Sequence, residues 1–457
     1  MKTGPNPLKN LTAAQLRGEV EDDVIEVDVS MTPIDVEHEE SFNVDVTSTD
    51  PPSDVEVEYK RPKTPQELAH EAWALLQDNA VWLTQTRQWW LQRNGIWRLD
   101  VDDSVRGRIM YSVVLKHKPK ASDAFVGNIE RMTRTMLATD PAKFDRHPWL
   151  LGVGNGVVDL RTGKLTPASS QLYIRRAAPT NYVPDAQCPT WEAHLDHLFA
   201  GNEDHIDFYQ KAIGAALVGD ANQKPQVFVF LLGDSGSGKG AAGRALTIAL
   251  GQDEHVVNIA ADDLTTAGFN RHKQWLTRFR DARIAIIEEA ERGTLNMSLL
   301  KKLSGGDTVI ANEMYRADSA WRPTHSMFLS SNDPPDFGGD ITGMPRRYMP
   351  IPTGERITPT PGYEVKLANE AEGILAWAIE GCLWWLDEDK GGDIPMSEEM
   401  QQLQTMHLEG NDEFAELILN GWLVFDPTWK ATRTQVRKGV RGSPADGHDA
   451  PHATRQG

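Results

Sequence analysis

Val227-Phe228-Val229-Phe230-Leu231-Leu232 runs directly into Gly233-Asp234-Ser235-Gly236-Ser237-Gly238-Lys239-Gly240, and Ala241 to Leu250 follows at helical spacing. Six apolar residues without a polar break form a strand buried on both faces, the pattern of a parallel sheet covered by helices. The glycines let the backbone curl until its N–H groups face phosphate oxygens. The helix N-terminus adds partial positive charge, and Lys239 reaches the β- and γ-phosphates. Gly233, Asp234, Ser235, Gly236, Ser237, Gly238, Lys239 and Gly240 are therefore the candidate phosphate-binding residues. One position departs from the pattern. Gly240 stands where such loops carry the hydroxyl that binds Mg²⁺, and Ala241 and Ala242 supply none,.

Working outward, Ile284-Ala285-Ile286-Ile287 ends in Glu288-Glu289, about 50 residues past the lysine, an interval that suits parallel strands joined by a crossover,. At a strand's carboxyl end, Glu288 is the candidate metal residue, holding Mg²⁺ through its waters. Glu289 is the candidate for orienting an attacking water. Met327-Phe328-Leu329 leads into Ser330-Ser331-Asn332-Asp333 and the strand-stopping Pro334-Pro335. The three apolar runs are expected to share one carboxyl edge, where open α/β sheets bind ligands, with Asn332 contacting the γ-phosphate or the water. Gly343-Met344-Pro345-Arg346-Arg347 sets two guanidinium groups on a loop, from which either can act on a neighbouring subunit's transition-state charge,.

The chain has 457 residues, 40% hydrophobic and 25% charged, enough for two or three domains and at least one sizeable core,. Its net charge of −19 argues by itself against a nucleic-acid partner, but residues 1–60 hold 15 Asp/Glu and 4 Lys/Arg, more than half of that imbalance. Global charge thus says little about partners. Val alternating with Asp and Glu, with Pro51-Pro52, reads as an acidic disordered tail over 1–62,. Residues 63–205 are expected to form a small, mostly helical domain. In it, Ala69 to Trp90 is helical and Trp73, Trp82, Trp89, Trp90 and Trp97 are packing aromatics, with base stacking as the alternative,. A hairpin is expected near 150–165, around Gly154-Asn155-Gly156,. The ATPase domain is assigned to 206–395. A C-terminal helical or winged-helix remnant with a loose tail is assigned to 396–457. Cys188 and Cys382 form no motif, which fits a reducing cytoplasm, and no apolar run reaches membrane-spanning length, so a cytoplasmic protein without a membrane partner is expected,.

The order of these motifs, with Leu300-Lys301-Lys302-Leu303-Ser304-Gly305-Gly306-Asp307 between the second and third, resembles the superfamily 3 helicase domain of phage and plasmid primase-helicases, the poxvirus-type and satellite-phage-type family. Gly154-Asn155-Gly156-Val157-Val158-Asp159-Leu160 upstream and Glu372-Gly373-Ile374-Leu375-Ala376-Trp377 with Gly381 downstream extend the resemblance over roughly 145–395. The resemblance implies an α/β fold with an AAA+-like P-loop motor. It implies a ring, a homo-hexamer, that hydrolyses ATP with Mg²⁺ between subunits and draws single-stranded DNA through its centre, in the company of a primase and other replication proteins. By position, Lys239 would bind the ATP phosphates, Glu288 and Glu289 would serve metal and water, Asn332 would sense the γ-phosphate, and Arg346 or Arg347 would be the finger in trans. Lys301, Lys302 and Arg316 would contact DNA. Residues ahead of 145 show no primase metal site, so primer synthesis by this chain is not expected. Two other readings stay open: another P-loop DNA motor, such as a loader or packaging ATPase, and a DNA-binding ring or adaptor that does not hydrolyse ATP, for which Gly240 is the reason.

Overall fold

The computed structural model describes residues 61–265, 273–289, 295–311, 319–337, 341–358, 361–387 and 394–410. The expected acidic tail up to residue 60, Arg316 and the C-terminal segment beyond residue 410 lie outside them.

Thr64 opens the first helix, α1 (Pro65–Leu76), with a capping box: its Oγ1 accepts the Glu67 N–H at 3.3 Å, and the Glu67 carboxylate accepts the Thr64 N–H at 2.8 Å,. The helical expectation through Trp90 is corrected at Ala80. From there the chain forms an antiparallel meander of β1 (Ala80–Leu83), β2 (Gln88–Arg93) and β3 (Ile96–Leu99). The reason is local. Trp89 and Leu91 alternate with less buried neighbours, as a strand requires, and Asn94-Gly95, both at positive φ, closes a two-residue hairpin pairing Arg93 with Ile96,. Next come α2 (Ser104–Ile109), a π turn over Met110–Val114, α3 (Leu115–His117), α4 (Asp123–Met136) and β4 (Ala138–Thr139), which pairs parallel with β1. Four of the five tryptophans pack: Trp97 lies parallel to Tyr173 at 5.8 Å, Trp90 lies 5.9 Å from Phe144 and Trp89 is buried against Trp82, whereas Trp73 is exposed. The hairpin near 150–165 forms as β5 (Leu150–Val153) and β6 (Gly156–Asp159), and β7 (Lys164–Thr166) extends it.

After α5 (Pro189–Leu198) and α6 (Glu203–Ala216) comes the central sheet. It contains β8 (Phe228–Leu232), β9 (Val256–Ala260), β10 (Ile284–Glu288), β13 (Ser326–Ser331) and β14 (Tyr348–Pro352), parallel throughout in the order β14-β8-β13-β10-β9. Between these strands lie α7 (Lys239–Leu250), α8 (Met297–Ser304) and an antiparallel pair, β11 (Val309–Ala311) and β12 (Ser319–Trp321). Then α9 (Tyr363–Asn369), α10 (Ala371–Leu386) and α11 (Glu398–Gly410) follow. β14 escapes a pattern reading because Pro350 and Pro352 interrupt it; it sits at the sheet's edge, where one side needs no donors,. One apolar core covers a sheet face and joins Leu151 and Val158 of the hairpin to Trp191, Phe208, Val229 and Ile374, so packing runs unbroken across residue 205. Among the described residues, no helix is long and apolar enough to cross a membrane.

Candidate functional site

The loop after β8 takes the conformation its glycines permit. Gly236 and Gly238 have φ of +89° and +108°, where L side chains are strained, and α7 begins at Lys239 directly behind them,. Gly233 is confined too, since a Cβ there would lie 2.2 Å from Thr353 Oγ1. Lys239 folds back over the loop. Its Nζ donates to the carbonyls of Gly233 at 2.5 Å and Asp234 at 2.9 Å, and to Asn332 Oδ1 at 3.3 Å. Ser237 is buried, its hydroxyl 3.1 Å from that of Thr353, whereas Asp234 and Ser235 are exposed.

The three runs do share one carboxyl edge, with β13 lying between β8 and β10. That insertion sets Asn332, just past β13, between the loop and Glu288, the last residue of β10. Glu289 follows at φ 56°, a sharp left-handed turn for a residue with a Cβ,. Loop, carboxylates and Asn332 line one cleft of about 880 Å³, within the range of small-molecule sites,. At Gly240 a Cβ would stand 3.4 Å from Glu288 Oε1 and 3.1 Å from Arg244 Nη1, so the missing hydroxyl would lie beside the carboxylate.

The remaining candidates stand elsewhere. Arg346 and Arg347 precede β14, and the Arg347 carbonyl accepts the Phe228 N–H at 2.8 Å at the amino end of β8. The phosphate loop is at the other end of that strand, roughly 16 Å away at about 3.3 Å per residue. The two arginines differ. Arg347 is buried, donates to Gly343 O at 3.3 Å and has its guanidinium pKa lowered by that burial; Arg346 is exposed. Lys301 and Lys302 are half-exposed in the last turn of α8 and do not line the cleft.

Several cleft residues went unread in the sequence. Ile357 N–H donates to Gly236 O at 2.9 Å, which brings the segment after β14, with Arg356, against the loop; a Cβ on Gly236 would lie 3.2 Å from Arg356 Nε. Arg244 on α7 pairs with Glu364 at 2.6 Å. His194 on α5 and Tyr363 on α9 close the far wall. Arg244 carried a signal, lying one turn beyond Gly240 on the same helix face. The others come from segments far away in the chain and carried none.

Residues 66–200 match a family model described as D5 N terminal like. The fold is similar to the A-form apo structure of the NrS-1 C-terminal region, at 14% identity, with 78% of each chain covered and a TM-score of 0.50. A second A-form apo structure of that region gives 13% identity, 83% of this chain, 86% of that chain and a TM-score of 0.49. The family match is confined to residues 66–200, and the structural likeness is one of fold.

Proposed function

We propose that the chain is an ATP-driven DNA helicase of superfamily 3 type, acting as a ring on single-stranded DNA during replication of a phage or mobile element, beside a separate primase. The observation that carries this reading is the convergence of Lys239, Asn332, Glu288 and Glu289 on one cleft at the carboxyl edge of a parallel sheet. Lys239 and the loop N–H groups bind the β- and γ-phosphates, and Asn332 holds the lysine and meets the γ-phosphate. Glu289 orients the water. The donor set suits Mg²⁺, which takes one or two carboxylates and fills its remaining positions with phosphate oxygens and water. Glu288 is the carboxylate that would hold it, and the metal would supply charge neutralisation between the β- and γ-phosphates. Arg346, the exposed one of the arginine pair, is the finger toward a neighbouring subunit's cleft, and Lys301, Lys302 and Arg316 contact DNA.

ATP hydrolysis by the full chain, measured with and without single-stranded DNA, tests the reading. Turnover stimulated by DNA and abolished by Lys239→Ala is expected. Duplex unwinding without a nuclease or clamp partner separates a helicase from a loader or packaging motor. Gly240 favours one other reading, a ring that binds nucleotide and DNA without hydrolysis; binding of both with no turnover in the wild-type chain would select it.

A further inference from the structure

His194 lies on α5, inside the segment that matches the D5 N-terminal-like model and outside the motor sheet, yet its ring reaches the phosphate loop. Its Nε2 is 3.1 Å from Gly238 O and its Nδ1 is 2.9 Å from the Tyr363 hydroxyl. A carbonyl oxygen only accepts, so Nε2 carries the proton; Nδ1 then offers its lone pair and the tyrosine O–H donates to it. The ring is 1% exposed and stacks on Trp191 at 5.9 Å. Burial lowers its pKa to about 4, which keeps this single neutral tautomer in place at ordinary pH. Contact with the loop is tight, because a Cβ on Gly238 would lie 2.8 Å from His194 Cε1.

Gly238 O also accepts the Ala242 N–H at 3.0 Å, the first hydrogen bond of α7. Both acceptor positions of that carbonyl are therefore filled, one along the helix and one from the side, and the rotation of the Gly238–Lys239 peptide is fixed. In a planar trans peptide the C=O and the following N–H point in opposite directions. Holding Gly238 O against His194 and the helix consequently turns the Lys239 N–H toward the concave side of the loop, where phosphate oxygens would sit.

We infer that His194 is a positioning residue of this site: through Gly238 O it sets the Lys239 N–H for the β-phosphate, and through Tyr363 it ties the setting to the neighbouring α9. The inference rests on the nucleotide-binding reading above. It gives the segment ahead of the motor a share in nucleotide recognition, so that a shift of α5 relative to the sheet changes affinity for the phosphate chain.

Binding of fluorescent ATP and ADP analogues, with AMP as competitor, tests this in the full-length chain for wild type, His194→Ala, His194→Gln, Tyr363→Phe and Lys239→Ala. His194→Ala is expected to weaken ATP and ADP about tenfold or more and to leave AMP, which has no β-phosphate, within about twofold. His194→Gln keeps a donor near the Nε2 position and recovers most of the loss, and Tyr363→Phe gives a smaller loss of the same kind. Equal losses for AMP and ATP, a glutamine variant as weak as alanine, or wild-type affinity in a folded His194→Ala protein would each overturn the role. Should the alanine variant melt at low temperature, the glutamine and Tyr363→Phe variants still decide. A wild-type chain that binds no nucleotide, or a Lys239→Ala variant that binds as wild type, would remove the nucleotide reading itself; Lys239-dependent binding that ignores His194 would remove only this inference.

Discussion

Gly240 combines two physical demands at one backbone position. A side chain there would meet Arg244 Nη1 at 3.1 Å and Glu288 Oε1 at 3.4 Å, the first of which is the end of a flexible, half-exposed side chain. Gly240→Ser should therefore fold normally, within about 0.5 kcal/mol of wild type, and its hydroxyl should raise Mg²⁺-dependent nucleotide affinity; paired melting and binding curves check both parts. The arginine pair gives a second contrast. Arg346→Ala removes an exposed side chain and should leave stability within about 0.5 kcal/mol; on the function proposed above, it should also lower turnover by about 10³-fold or more, the magnitude of a lost finger,. Arg347→Ala removes a buried guanidinium from the turn closed by Gly343 O and should cost about 1–3 kcal/mol in urea melts,. Equal stability losses in the two variants would remove this distinction. Neither side chain's burial is visible in the dipeptide Arg346-Arg347; only the path of the chain into β14 separates them.

The β1–β3 meander is held by one buried carboxylate from a helix. Glu130 of α4 is 3% exposed and accepts Trp89 Nε1 at 3.0 Å, Arg106 at 2.8 Å and Arg134 at 2.5 Å. Burial by itself raises its pKa, but the hydrogen bonds from Trp89, Arg134 and Arg106 outweigh that and hold it below the usual carboxylate range. Glu130→Ala would strand an indole N–H and leave two arginines without this partner. A loss of about 2–4 kcal/mol is expected by urea denaturation, toward the low end because both arginines keep water contact,. A loss below about 0.5 kcal/mol would mean that the meander is fixed by its apolar contacts alone. This element also shows why the sequence misled. Apolar residues from Leu68 to Leu83 fit a helical period as far as Leu76, and the strand signal was concentrated in Asn94-Gly95 and in the alternation around Trp89,.

Across the molecule, cations and histidines from the amino edge of the sheet lock the preceding segments to it. Arg283, just ahead of β10, donates to Pro148 O and Leu150 O at 3.1 Å each, and Gly219 must lack a side chain because a Cβ would fall 1.4 Å from its Nη1. His255 lies 3.0 Å from Gly152 O through Nε2. His325 is 2% exposed, and neither of its ring nitrogens has a hydrogen-bond partner among the described residues. Burial, helped by Arg283 beside His255 and Lys224 beside His325, lowers both pKa values to about 3. Between about pH 6.5 and 3 the unfolded chain binds protons at these two sites that the folded chain does not. Their contribution is therefore whole above about pH 6.5 and is lost as pH falls toward 3, at up to about 1.4 kcal/mol per unit for each histidine. Urea midpoints should drop between pH 6.5 and 5, and His325→Phe should flatten the drop; a midpoint constant over that range would contradict the buried neutral rings. The sequence by itself determined the glycine loop, the three buried strands and the residues at their ends, because a glycine-rich turn, buried parallel strands and polar residues at strand ends each leave a contiguous pattern over five to fourteen residues,. Only the tertiary structure decided that β13 separates the loop from Glu288, that Pro350 and Pro352 lie in an edge strand, that Arg347 is buried while Arg346 is exposed, and that His194 reaches Gly238 from 44 residues upstream. Those outcomes depend on strand order and on helix docking against a shared core, which are set by the summed burial of residues distant in the chain and leave no local period to read,.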